Sequence, residues 1–223
     1  QDDKLGVSSQ LDNLVTFSTL SFSSGKDTGM ILQRLPNLRK LGCIFMESRD
    51  SLSVKFPELD TLTRLESLKI VYIGRPLTSI EFNLPLNLKK LTLSNFRLPW
   101  DHISAIGKRL QNLEVLKLLS RAFEGQSWDM REGEFIKLKY LMLDTLSIAQ
   151  WNATSDHLPN LEQLVLRNCK KLEEVPFSLG EITTLQMIEV QSCKKSTEES
   201  AIRIGKEGWI EGLKIIVNQS IHV

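Results

Sequence analysis

The side chains that could do chemistry are few and scattered. His102, His157 and His222 lie far apart, and no H-E-x-x-H or clustered ligands accompany them, so the spacing offers no metal site. Gly25-Lys26 resembles the end of a phosphate-cradling loop, but it lacks the upstream glycine and the Ser or Thr that would meet magnesium. Cys43, Cys169 and Cys193 form no C-x-x-C pair and leave one thiol over. That pattern suits a reducing compartment better than a disulfide framework. Trp100, Trp128, Trp151 and Trp209 read as loop-packing anchors, because a stacking platform for nucleic acid would also need a basic groove. No catalytic constellation emerges, and the chain does not read as an enzyme.

Composition narrows the alternatives. With 28 Lys and Arg against 27 Asp and Glu, the formal charge of +1 argues against a dedicated nucleic-acid or anionic-membrane binder. Charged residues at 25% and hydrophobic ones at 41% exclude disorder, collagen and disulfide-dense scaffolds. No run of about 18 apolar residues is present to span a bilayer, and the N-terminus carries no signal-peptide pattern. The sequons at Asn152 and Asn218 are at the level expected by chance. Because the chain begins with Gln1, it is expected to be a segment of something longer. One number stands out: leucine fills 37 of the 223 positions, while aromatics reach only 7%.

Those leucines are spaced. The motif L-x-x-L-x-L, whose short strand points its leucines into a solenoid core, fits Leu38-Leu41-Cys43, Leu65-Leu68-Ile70, Leu88-Leu91-Leu93 and Leu113-Leu116-Leu118. Leu138-Leu141-Leu143, Leu161-Leu164-Leu166 and Leu185-Ile188-Val190 follow. Phe17-Leu20-Phe22 reads as an earlier copy and Leu213-Ile216 as a degenerate last one. The middle positions recur at intervals of 21 to 28 residues, inside the window of leucine-rich repeats. The spacing predicts an α/β fold: a leucine-rich-repeat solenoid, or horseshoe, with a parallel sheet on its concave face and irregular or helical convex segments. One domain of eight or nine repeats over residues 1–223 follows. Asp101 is expected to cap a helix through about Arg109, with Ile103, Ile106 and Leu110 on one face. Ser196 and Glu199 predict a capping box for a C-terminal capping helix near 197–206, ending at Gly208. Long loops are expected at Ser120–Gly133 and Asp50–Pro57.

The outward strand positions then become readable columns. Arg39, Glu66, Lys89, Glu114, Lys139, Glu162 and Gln186 set opposite charges side by side, a ladder of exposed ion pairs each worth about 0–1 kcal/mol. Val115, Leu119, Tyr140, Met142, Val165 and Met187 are expected to form an apolar patch rimmed by Lys90, Lys117, Asp144 and Arg167, the kind of surface that contacts protein. Folding of the 120–133 loop, with Phe123 and Trp128, back over that patch is the competing expectation. Arg39, Lys40, Lys69, Lys89 and Lys90 make the N-terminal half of the face basic. Cys169 and Cys193 occupy equivalent positions one repeat apart and are expected as stacked neighbours, buried as thiols rather than joined or metal-bound.

At Leu161 to Cys193 the residues read LEQLVLRNCKKLEEVPFSLGEITTLQMIEVQSC. This run resembles the C-terminal repeats of plant nucleotide-binding leucine-rich-repeat immune receptors, whose pattern L-x-x-L-x-L-x-x-C-x-x-L-x-x-[IV]-P matches Leu161, Leu164, Leu166, Cys169, Leu172, Val175 and Pro176. Leu98-Pro99-Trp100-Asp101, LEVLKLLSRAFEGQSWD and GEFIKLKYLML are similar to the coiled-coil class of these receptors from solanaceous plants. Leu172 to Pro176 lacks the glycine of extracellular plant repeats, which favours the intracellular class. The resemblance implies a cytoplasmic domain that restrains a nucleotide-binding switch and takes part in recognising a pathogen effector, with hypersensitive cell death on activation. It implies no cofactor here, since ADP and ATP belong to the switch domain, whose motifs the chain lacks. Implied partners are the receptor's own nucleotide-binding and coiled-coil domains, docked on the basic half, and an effector or other protein on the apolar half. Two other readings stay open: a substrate-recruiting module of an F-box ubiquitin ligase, and the repeat domain of a helper receptor that contacts no effector.

Overall fold

The computed structural model describes residues 11–23, 27–47 and 56–218. Its strands in chain order are β1 (Thr16–Ser23), β2 (Lys40–Met46), β3 (Ser67–Ile73), β4 (Lys90–Ser94), β5 (Leu98–Pro99), β6 (Val115–Leu119) and β7 (Phe123–Glu124). β8 (Ser127–Asp129), β9 (Tyr140–Asp144), β10 (Gln150–Asn152), β11 (Gln163–Arg167), β12 (Met187–Gln191) and β13 (Lys214–Asn218) complete them. The helices are α1 (Asp27–Gln33), α2 (Asp101–Arg109) and α3 (Lys195–Glu207). Nine strands pair in the order β1-β2-β3-β4-β6-β9-β11-β12-β13, every pair parallel. Spatial order follows sequence order, and one strand is laid down per repeat. The fold is a leucine-rich-repeat solenoid.

Register follows from burial. Leu41, Leu68, Leu91, Leu116, Leu141, Leu164 and Ile188 stand opposite one another across successive strands, all 2% exposed or less. Because strand side chains alternate, a one-residue slip would turn this whole set out to solvent. The two ends depart from the expected spacing. In β13 Ile215, not Ile216, continues the column opposite Ile188, so that Ile215 and Val217 both point inward. In β1 Phe17 pairs with Leu41 and Leu20 with Cys43, the extra residue being absorbed as a bulge. That bulge brings the Ser18 carbonyl over Gly42, where any Cβ would collide with it.

Two backbone devices connect the turns. The residue just after a strand adopts a left-handed conformation at Asn95, Ser120, Thr145, Asn168 and Ser192, with φ of 66°, 45°, 57°, 52° and 55°. This turns the chain sharply off the sheet, and the amides of Ser120, Thr145, Asn168 and Ser192 donate to carbonyls of the following repeat at 2.9–3.1 Å. At the other strand end, the residue before the first leucine bonds an adjacent repeat. Asn37 donates to the Asp12 carbonyl (2.8 Å), Arg64 to Asn37 Oδ1 (2.7 Å) and Asn87 to the Thr63 carbonyl (2.8 Å). Lys137 meets Asn112 Oδ1 at 2.9 Å, Asn160 the Ile136 carbonyl at 2.7 Å and Thr184 the Leu161 carbonyl at 2.9 Å. These links are mostly solvent-exposed and tie each repeat to its neighbour.

The core holds two aromatic groups. Phe45, Phe56, Tyr72, Phe82 and Phe96 pack at ring separations of 5.2–6.3 Å under β2 to β4. Further along, Phe123, Trp100, Trp128 and Trp151 stack in sequence at 5.3, 4.9 and 5.5 Å, the indole planes within 15° of parallel. The 120–133 segment is therefore not a lid. It carries β7 and β8, which pair with β5 and β10, and it buries Phe123 and Trp128 in the core. Of the expected long loop at 50–57, residues 50–55 lie outside the described residues, and Phe56 belongs to the first aromatic group. Trp209 is the exception among the tryptophans. Its side chain is 83% exposed, while its backbone amide donates to the Gly180 carbonyl at 3.2 Å.

Both predicted helices form, with different starts. Trp100 is itself helical in backbone at the head of α2, so Asp101 falls inside the first turn and acts there as a charge near the helix N-terminus rather than as a cap. In α3 no side chain makes the capping bond at Lys194, and Ser196 Oγ has no hydrogen-bond partner among the described residues. Thr197 and Ser200 set that helix's position instead: Thr197 Oγ1 donates to the Leu172 carbonyl, and Ser200 Oγ accepts from the Val175 amide at 2.8 Å. Glu199, freed from any capping role, pairs with Lys195 at 3.5 Å. Among the described residues no helix is long and apolar enough to cross a membrane.

Beside the end of β2 lies a four-bond carboxylate site. Glu47 accepts from the Arg75 amide (2.8 Å), Nε (3.0 Å) and Nη2 (2.6 Å), and from Tyr72 Oη (3.3 Å). Hydrogen bonds from Arg75 lower the Glu47 pKa from 4.5 to about 2. A folded-state pKa below the unfolded one stabilises the fold above pH 4.5, and that contribution is lost as pH falls toward 2. Glu47→Gln therefore lowers the melting temperature at neutral pH. Thermal melts over a pH series are expected to show the gap narrowing below pH 4.5 and closing near pH 2; a gap independent of pH contradicts this assignment.

Candidate protein-binding face

Alternation in the strands puts three rows of side chains on the concave face. One row runs Val115, Tyr140, Gln163, Met187; the next Lys117, Met142, Val165, Glu189; the third Leu119, Asp144, Arg167, Gln191. The structure therefore brings together the six residues of the expected patch and its four rim residues, Lys90 standing opposite Val115. Their exposure differs from the expectation. Met142 and Val165 are only 8% and 2% exposed, whereas Val115, Leu119, Tyr140 and Met187 are half-buried. The cause is side-chain cover. Tyr140 Oη lies 3.8 Å from Met142 Sδ, and Lys117 Nζ sits 5.2 Å from the centroid of the Tyr140 ring. Arg167 leans from β11 to Glu189 on the adjacent β12, with Nη2 and Nε at 2.7 and 3.1 Å from Oε1.

Sequence spacing gave no warning of the Arg167–Glu189 pair, since these residues sit in different columns of the motif. The diagonal contact arises because Asp144, directly opposite Arg167, is already engaged by Thr145 Oγ1 (2.7 Å) and Asn168 Nδ2 (3.2 Å). Burial raises the Tyr140 pKa, and the Glu189 hydrogen bond raises that of Arg167. The result is a preformed centre of aromatic, thioether and ion-paired groups with a half-buried apolar margin. Surfaces of this makeup suit protein contacts, where Tyr, Met and Arg are enriched.

The basic half is arranged differently. Arg39, Lys40, Lys69, Lys89 and Lys90 are all exposed. Arg39 pairs with Glu66 at 3.6 Å, while Lys40, Lys69, Lys89 and Lys90 form no ion pair among the described residues. The expected charge ladder closes at two rungs, Arg39–Glu66 and Lys139–Glu162 at 3.1 Å. The remaining side chains of that column are long and solvated, and strand adjacency alone does not hold them together. Part of the column instead lines an open groove with Arg64, Asn87 and Lys137.

All three cysteines are free thiols. Cys43 is buried, which pushes its pKa up to about 12. Cys169 is buried and stands beside Cys193, its counterpart in the next repeat, as the spacing predicted; Cys193, expected to be buried, is half-exposed. Among the described residues no cluster of three or more His, Cys, Asp or Glu is placed to hold a metal ion.

No protein-family model matches the chain. Close similarity is found instead to late blight resistance protein homologues of Solanum demissum. One is 40% identical over 199 residues, which is 88% of this chain and 16% of the relative. A second is 39% identical over 210 residues, 90% of this chain and 26% of the relative. A late blight resistance protein of the same species is 37% identical over 202 residues. The chain is homologous to a portion of the late blight resistance proteins. It spans about 15–26% of the length of these relatives. Coverage of 88% leaves too few residues unmatched to omit any position from Arg39 to Met187, so both halves of the concave face lie within the resistance-protein homology.

Proposed function

We propose that this segment is the interaction and restraint arm of an intracellular plant immune receptor, acting through protein contacts and not through catalysis. The reading is carried by 40% identity to late blight resistance protein homologues across 88% of the chain. The division of the concave face supports it. Four lysines without carboxylate partners among the described residues suit docking on the receptor's own nucleotide-binding or coiled-coil domains, which holds the switch in its ADP-bound state. The Tyr140–Arg167 region suits an effector or another protein. A partner that favours the released arrangement shifts the equilibrium by its differential affinity for the two states, and activation ends in hypersensitive cell death.

Charge reversal tests the restraint. In the full-length receptor expressed in leaf tissue, Lys89→Glu with Lys90→Glu is expected to trigger cell death without any pathogen. Both side chains are exposed and form no ion pair among the described residues, so the fold tolerates the change. A silent double variant at normal protein level overturns the docking role. For the partner face, Tyr140→Ala with Leu119→Ala is the better choice, because Met142 is buried enough that truncating it would disturb packing. The same variant, with its melting temperature little changed, is expected to lose capture of the effector in a pull-down while still binding the switch domain; unaltered effector capture overturns the partner role.

A further inference from the structure

Cys169 and Cys193 are each the second residue beyond a strand, after Arg167 of β11 and Gln191 of β12, which stand opposite one another. The intervening residues, Asn168 and Ser192, share a left-handed backbone, with φ of 52° and 55°. Their amides make equivalent bonds, to the Gln191 and Asn218 carbonyls at 3.0 and 3.1 Å. The two cysteine backbones are therefore congruent and one strand spacing apart, about 4.8 Å, inside the Cα separation of roughly 4.4–6.8 Å that a disulfide requires. Their side chains fold alike: Cys193 Sγ lies 3.5 Å from the Gln191 carbonyl oxygen, as Cys169 Sγ lies against that of Arg167. Cys169 is fully buried, with Sγ 3.4 Å from the Arg167 carbonyl oxygen and 3.6 Å from that of Leu143, whereas Cys193 is half-exposed.

We infer that Cys193 and Cys169 are a vicinal-repeat thiol pair that a hydroperoxide oxidises to a disulfide bridging the β11 and β12 repeats. The Cys193 pKa is lowered, chiefly by hydrogen bonding to Cys169 with Lys170 assisting, while burial and Glu198 oppose. The exposed Cys193 thiolate attacks one peroxide oxygen; the O–O bond breaks, the leaving oxygen takes a proton, and a sulfenic acid remains on Cys193. Cys169 Sγ then attacks Cys193 Sγ, its proton joining the departing hydroxide as water. In sum two thiols and one hydrogen peroxide give one disulfide and two waters, the sulfurs losing the two electrons that the peroxide gains. The bridge would fix two repeats covalently beside Arg167 and Glu189. This inference stands on the thiol geometry and does not depend on the immune-receptor reading.

Cys43 supplies an internal control, since burial raises its pKa to about 12. The folded chain is treated with hydrogen peroxide, denatured, alkylated with N-ethylmaleimide and digested for mass spectrometry. Expected is a Cys169–Cys193 cross-linked peptide lighter by two hydrogens, with Cys43 alkylated. Cys169→Ser should stop at the first step and leave a Cys193 sulfenic acid that dimedone traps. Alkylation of all three cysteines after peroxide, or oxidation of Cys193 to the sulfinic acid without a cross-link in the unsubstituted chain, overturns the assignment. The cross-linking arm needs no substitution, so an unstable variant cannot obscure it.

Discussion

Replacing Trp128 with alanine is expected to destabilise the fold by about 3–5 kcal/mol. The indole is 1% exposed and lies between Trp100 and Trp151, at 4.9 and 5.5 Å. Its loss opens a cavity and breaks both stacks, each worth about 0.5–1.5 kcal/mol beyond burial. The position also has leverage, because Trp100, Trp128 and Trp151 come from three successive convex segments, and a solenoid is held mainly by neighbour contacts. Urea denaturation followed by circular dichroism measures the effect. Trp128→Phe is expected to lose much less, since a ring remains and the indole N–H, which has no protein partner, disappears. Trp209→Ala, at an 83% exposed position, should stay within about 0.5 kcal/mol of the unsubstituted chain. A loss below ~1 kcal/mol for Trp128→Ala would refute the stack as a structural spine.

Leu116→Ala is expected to cost about 2–5 kcal/mol, and Leu119→Ala in the same strand less than ~1 kcal/mol. Leu116 is 0% exposed between Leu91 and Leu141, in the middle strand of the sheet, so every neighbour is fixed and the cavity cannot collapse. Leu119 points to the concave side and is half-buried. The contrast tests register itself. If β6 were shifted by one residue, Leu119 would be the costly position and Leu116 the cheap one. Equal losses at the two sites would also contradict the assignment of faces.

How far the sequence was readable depends on the kind of interaction. Leu65-Leu68-Ile70 and its successors were legible because core burial repeats with the motif, and each leucine reports its own environment. The ends were less so: Phe17 and Leu20 span one residue more than Leu41 and Cys43, and a bulge that absorbs the difference leaves no mark in spacing. Asp101 and Ser196 carried good capping chemistry, yet Trp100 extends α2 upstream, and Thr197 and Ser200 place α3 by bonding the previous repeat. The residues of the apolar face and its rim were correctly brought together by column, but column membership does not show that Tyr140 covers Met142 or that Arg167 reaches diagonally to Glu189.

By itself, then, the sequence determined the solenoid, its inward and outward columns, the adjacency of Cys169 and Cys193, and the likeness to plant immune receptors. These follow from periodicity, and a period of one repeat places equivalent residues side by side whatever the connecting segments do. Only the tertiary structure decided that the 120–133 segment packs inward as part of an indole stack, that the Trp209 side chain is exposed, and that the charge column closes at two rungs. Those outcomes depend on how convex segments of unequal length find space against one another, and on whether a long side chain gains more from a partner than from water. Neither quantity is periodic, so neither is written in the spacing of leucines.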